Sequence, residues 1–141
     1  MNYNLDRFIK PHEKHYDIAL SEIKEGRKKS HWMWYIFPQI KGLGNSNISE
    51  FYGIENLDEA KEYYNNKFLR DHLTEISNTL LSLDNNDITS ILNYPDDLKL
   101  KSSMTLFMLV DPKEKVFSKV LDKNYNGEKD ENTIKIVEGR R

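Results

Sequence analysis

The sequence predicts a mainly α-helical fold, a single-domain, irregular (orthogonal) bundle of about six or seven helices. Apolar residues recur at helical spacing through most of the chain, and no segment alternates long enough to seed a sheet. The breaks between the helical stretches are too varied in length for a regular up-and-down bundle. With 141 residues, 38% of them hydrophobic and 11% aromatic, the chain has enough apolar material for one core, so residues 1–141 are expected to form one domain.

The first helix is expected over residues 11–25. Tyr16, Ala19, Leu20 and Ile23 mark one face, Pro11 fits a first turn, and Gly26 is placed to end it. Asn56 followed by Glu59 resembles a capping box for a short helix with Ala60, Tyr63 and Tyr64 on its apolar side. Leu69, Leu73, Ile76, Leu80 and Leu83 alternate steps of four and three, the seam of a long amphipathic helix packed on the domain's own core. Asn85-Asn86-Asp87 breaks the chain and Ile88 to Leu92 suits a short helix. Tyr94-Pro95 marks a boundary after which Asp96 can cap a helix carrying Leu100, Met104, Phe107 and Met108. Asp111-Pro112 ends that helix, and Val116, Phe117, Val120 and Leu121 form the next stripe. Beyond the turn signal Asn126-Gly127, the group Ile134, Ile136 and Val137 fits a helix or an extended segment equally well.

Charge and composition narrow the function classes. Lys and Arg number 21 against 23 Asp and Glu, a net charge of −2, which argues against a protein devoted to nucleic-acid phosphates. The chain has no cysteine, so thiolate chemistry and disulfides are excluded. The opening residues lack the apolar core of a signal peptide and the longest apolar run, Trp32 to Phe37, is too short to span a bilayer. The expectation is therefore a cytoplasmic protein with no membrane role. His12 and His15 stand three apart near a proline, without the spacing of a zinc motif, so neither a metal nor a cofactor is expected.

Two segments stand out. In Ser30-His31-Trp32-Met33-Trp34-Tyr35-Ile36-Phe37-Pro38-Gln39 the apolar residues would surround a helix capped by Ser30 and stopped near Pro38, so the segment must be buried or form a pocket wall. Its bland reading is core packing. Its functional reading takes Trp32, Trp34 and Tyr35 as flat surfaces for a ring, with His31, Gln39 and the turn through Gly42, Gly44 and Ser46 supplying polar groups. That turn lacks the third glycine of a dinucleotide fingerprint.

The second segment, Lys99 to Phe107, carries Lys99, Ser102, Ser103 and Thr105 on a helix. Plain reading bonds these hydroxyls to carbonyls one turn back. The sharper reading brings them to the aromatic segment, with Ser102 and Ser103 near His31 and Trp34, since each segment has an apolar face that needs a partner.

The runs Gly26-Arg27-Lys28, Ser30 to Gln39, Gly42-Leu43-Gly44 and Ser46 resemble the signature of a small bacterial family of unknown function, sometimes mislabelled calpastatin. The likeness continues through Asp58-Glu59-Ala60, Asp97 to Phe107, Phe117, Val120-Leu121-Asp122, Gly127, Asp130 and Thr133, and so covers nearly the whole chain. Tyr35 stands where that family usually has Phe. The resemblance implies a helical single domain and brings no established activity. A disordered protease inhibitor, which the calpastatin label suggests, disagrees with this aromatic-rich composition.

The leading expectation is a domain that binds a phosphorylated or nucleotide-like small molecule, with hydrolysis or transfer of part of it as the further step. Arg27, Lys28 and Lys99 would neutralise phosphate charge. His31 is the acid/base candidate because an ordinary histidine titrates near neutrality, and Glu22 is its reserve if burial raises its pKa. The alternative is a non-catalytic interaction module that offers the aromatic run 31–37 to a partner or to a second copy in a homo-oligomer.

Overall fold

The computed structural model describes residues 3–140, which form nine helices and no strand. In chain order these are α1 Asp6–Lys24, α2 Met33–Ile36, α3 Asn47–Tyr52, α4 Leu57–Asn65, α5 Lys67–Ser82, α6 Ile88–Leu92, α7 Asp96–Val110, α8 Val116–Tyr125 and α9 Glu131–Gly139. An isolated parallel bridge joins Ile40 to Ile54. The count exceeds the expected six or seven because α3 is too short for a periodic pattern to announce it and because the last apolar group, which fitted a helix or an extended segment, is the helix α9.

The long helices follow their apolar spacing. Leu69, Leu73, Ile76 and Leu80 of α5 are all buried, and α5 packs on α1, α4 and α8. Helix α7 is buried nearly all round from Leu100 to Phe107 and contacts α4, α6, α8 and α9. It is the central helix of the bundle, and Phe107 meets Tyr63, Tyr64 and Phe117 there. The residues Ile134 to Val137 settle as helix α9, which packs on α7. Asn126, in the left-handed conformation at φ 54°, and Gly127, at φ 79°, end α8 as a turn of this composition should.

Four local expectations are corrected. Helix α1 begins at Asp6 rather than residue 11, with Pro11 inside it, and Phe8 on this added stretch is completely buried. That burial offsets the hydrogen bond that proline cannot give. Ser30 does not cap a helix over residues 30–38; its hydroxyl donates to Glu22 instead, and only Met33–Ile36 is helical. Asn56 does cap α4, but Glu59 reaches back to the backbone N–H of Glu55 rather than to that of Asn56. Pro95, not Asp96, is the N-cap of α7, and Asp96 is drawn into ion pairs with lysines.

Candidate functional site

The aromatic segment divides between core and surface. Trp32 is 1% exposed and Phe37 0%, and Met33 and Ile36 are also buried. Trp34 and Tyr35 are half-buried. Trp32, Met33, Ile36 and Phe37 are used by the core, which leaves Trp34 and Tyr35 as the partly open aromatic side chains of residues 31–37.

Glu22 organises the loop that leads to this segment. Its carboxylate accepts from the backbone N–H groups of Lys29 and Ser30 at 2.8 and 2.9 Å, from Ser30 Oγ at 2.6 Å and from Trp32 Nε1 at 2.9 Å. Burial raises its pKa, but these donors outweigh burial and hold it down to about 2. The expectation of a raised pKa is corrected, because a carboxylate with four donors is stabilised as the anion and has its lone pairs committed to structure.

A chain of charges ties the same loop to α7. Lys28, buried, pairs with Asp96 at 2.9 Å, and its ammonium lies 5.1 Å from the centre of the Trp32 ring. Lys99 pairs with the same Asp96 at 3.1 Å and lies 4.0 Å from the centre of the Trp34 ring. Two cations thus share one carboxylate, and the cluster carries one net positive charge beside the partly open Trp34 ring.

That ring forms part of the wall of a cleft of about 340 Å³. The loop through Gln39, Leu43 and Gly44 contributes to it, as do Pro95, Leu98, Lys99, Lys101 and Ser102 from the start of α7, and Asp130 and Asn132 from the start of α9. Backbone Gly44 approaches so closely that a Cβ there would stand 3.2 Å from Ser49 Oγ. Two segments far apart in sequence therefore meet, through Trp34 and Lys99.

The remaining candidates lie elsewhere. His31 is exposed and is not among the cleft residues; only its carbonyl is engaged, by Tyr35 Oη at 3.4 Å. Arg27 is exposed outside the cleft, and Lys28 is committed to Asp96. Trp32 is in the core, and Tyr35 packs against His15 and Tyr52. Ser46 caps α3 by accepting from Ser49 N–H at 3.2 Å. Ser103 is fully buried, and its hydroxyl has no partner among the described residues. Thr105 donates to the Lys101 carbonyl at 2.8 Å and accepts from Asp130 N–H at 2.9 Å, which fastens α9 to α7. Ser102 and Ser103 thus face different surroundings, and the neighbourhood expected of them with His31 is replaced by one of Ser102 with Trp34, Gln39 and Asp130.

Lys101, Asp130 and Asn132 are the polar cleft residues that spacing did not single out. Lys101 lies inside the α7 run. Asp130 stands among the residues of the family resemblance without a role attached and Asn132 carries no motif, and the packing of α9 on α7 brings both in. Among the described residues no group of three or more His, Asp or Glu side chains is placed to hold a metal ion, and no helix is long and apolar enough to cross a membrane.

A second polar cluster lies between α1 and α5. His12 Nε2 donates to the Tyr35 carbonyl at 2.7 Å, so in the neutral ring Nδ1 is the acceptor, 2.9 Å from His72 Nδ1. Tyr16 stacks on His72 at 3.6 Å between ring centres and donates its hydroxyl to Glu75 at 2.6 Å. Burial is the main cause that lowers the pKa of His12 to about 4, despite the bond to Tyr35.

Comparison with known proteins agrees with this helical domain. None of the curated proteins compared with the chain matches it. A crystal structure of the conserved hypothetical protein Rv1873 from Mycobacterium tuberculosis is 37% identical, with a TM-score of 0.92 over 95% of this chain and 96% of that one. The model of the family described as "Protein of unknown function (DUF1810)" matches residues 2–137, and the chain belongs to that family.

Proposed function

We propose that this chain binds a small phosphorylated, nucleotide-like molecule in the cleft between the 39–44 loop, the start of α7 and the start of α9. The observation that carries the reading is the convergence of Trp34 and Lys99 on one cleft wall, with the ammonium 4.0 Å from the ring centre and a surplus positive charge around Asp96. Lys101 adds a second cation whose nearest carboxylate, Glu128 at 3.4 Å, is largely exposed and so competes weakly with an incoming anion. Leu43, Pro95 and Leu98 supply apolar surface for the uncharged part of the ligand. The volume, about 340 Å³, falls at the small end of the range of about 300–1,000 Å³ common to ligand pockets.

The reading is one of binding. The acid/base candidates His31 and Glu22 stand outside the cleft, and Glu22 is fully engaged by loop donors.

Mass spectrometry of ligands retained by the purified protein, joined to a thermal-shift panel of nucleotides and sugar phosphates, tests the reading. At least one phosphorylated compound should raise the unfolding temperature, and Lys101→Met should weaken that response while leaving the unliganded midpoint nearly unchanged. A folded protein that no member of the panel stabilises would refute it.

A further inference from the structure

We infer that Asp130 reads the sugar hydroxyls of the ligand, so that the cleft takes a ribonucleoside monophosphate in preference to its deoxy forms. This rests on the phosphorylated-ligand reading above and assigns a sugar-recognition residue within the same cleft.

Asp130 is the N-cap of α9, a position where an aspartate carboxylate ordinarily accepts from the helix's own first amides. Here it makes no such bond. Its Oδ2 instead accepts from Ser102 Oγ at 2.7 Å and from Thr133 Oγ1 at 2.5 Å, while its backbone N–H donates to Thr105 Oγ1 at 2.9 Å. Each hydroxyl has a single proton. Thr133 directs its proton at Oδ2, and Ser102, which also lies 3.2 Å from the Leu98 carbonyl, makes its shorter contact to Oδ2, so both hydroxyls face acceptors and the carboxylate accepts. Ser102 and Thr133 are buried, so the carboxylate is held in one orientation by groups that themselves have little freedom.

An ionised carboxylate offers about four lone-pair positions on its two oxygens. Oδ2 is occupied, and Oδ1 receives no hydrogen bond from the described residues, while the residue itself lines the cleft. A fixed, acceptor-only group in a cleft with Lys99 and Lys101 imposes a polarity on what can bind. It repels phosphate, so the phosphate belongs at the lysines and the Asp130 end must meet hydrogen-bond donors. A molecule that carries an anionic group, a flat ring and sugar hydroxyls meets each of these cleft groups, and a ribonucleoside monophosphate is the simplest such class. Asn132, two residues on along the same wall, brings an amide with both donor and acceptor beside Asp130.

The test is calorimetric titration of the full chain with the ribonucleoside 5′-monophosphates and their 2′-deoxy and 3′-deoxy counterparts. Ribose 5-phosphate and 2-deoxyribose 5-phosphate serve as arms without a base. Loss of a hydroxyl that donates to an ionised carboxylate should weaken binding about tenfold or more. In Asp130→Asn, which keeps the shape but removes the charge, affinity for all phosphates shifts together and the ratio between a ribonucleotide and its deoxy form should fall to about one. Equal binding of ribo and deoxy forms by the unmodified protein would overturn the role of Asp130 and leave the phosphorylated-ligand reading standing. Failure of every compound to bind would overturn both. If Asp130→Asn does not fold, the ribo against deoxy comparison on the unmodified chain decides by itself.

Discussion

The indole Nε1 of Trp32 donates to the carboxylate of Glu22 across 2.9 Å inside the protein, and the same carboxylate gathers the Lys29 and Ser30 amides and the Ser30 hydroxyl. One acidic residue at the end of α1 thus shapes the loop that delivers Trp34 to the cleft.

Removing that acceptor should be costly. Glu22→Ala leaves the Trp32 N–H and the loop amides without a partner, and a loss of about 3 kcal/mol or more is expected from leaving several buried donors unsatisfied. Ser30→Ala, which removes one of the four donors and little volume, should cost less. Urea denaturation of both variants checks the order, and a Glu22→Ala protein as stable as the parent would show that the loop does not depend on this hub.

The histidine pair predicts a pH dependence with a definite sign. The folded pKa of His12, about 4, lies below its ordinary value of 6.5, so the folded state resists a proton that the unfolded chain accepts. Its contribution is fully present above pH 6.5 and is lost as the pH falls from there towards 4. Between pH 7.5 and 5 the loss should be roughly 2 kcal/mol, to which His72, also lowered chiefly by burial, adds in the same direction. Unfolding midpoints of the parent and of His12→Gln should converge on acidification; a parallel fall in both would assign the acid limb to other groups.

Glu22 acts at lower pH. Because its folded pKa of about 2 is depressed from 4.5, its contribution is present above pH 4.5 and disappears as the pH falls through 4.5 towards 2. Glu22→Gln should flatten the stability curve in that window and not between pH 5 and 7, a separation that stability measurements across both windows resolve.

Thr105 fastens α9 through a hydrogen bond from Asp130 N–H. Thr105→Val keeps the volume but orphans that donor, and a cost of about 1–2 kcal/mol is expected. Hydrogen exchange in Glu131–Gly139 should accelerate more than exchange in α5. Uniform acceleration across the molecule would mean that α9 does not open by itself.

Asn126 adopts φ 54° at the end of α8. Asn126→Gly should leave stability unchanged or raise it slightly, and Asn126→Ala should lower it by about 1 kcal/mol, because a Cβ without a locally bonding side chain is disfavoured in the left-handed region. Thermal midpoints of the two variants give the comparison.

The range of each interaction decides whether the amino-acid order displays it. The α5 seam of Leu69, Leu73, Ile76 and Leu80 and the stop at Asn126-Gly127 are local, set by side chains one turn apart or by one residue's backbone, and they stand in the sequence as they stand in the fold. The weight of the aromatic run and of Lys99 to Thr105 was visible as well, since their composition is unusual wherever they lie. The sequence could not assign roles within those runs. Trp32 and Trp34 are two residues apart, yet Glu22 draws one into the core while Lys99 meets the other at the cleft. Ser102 and Ser103 are adjacent, yet one bonds Asp130 and the other is enclosed without a partner among the described residues. Helix formation and capping act over a few residues, so a helical chain with two chemically rich segments is written into the order of its amino acids. That these segments meet, that Ser30 serves Glu22 instead of a helix, and that Asp130 joins the cleft depend on which helix faces are pressed together when the core closes.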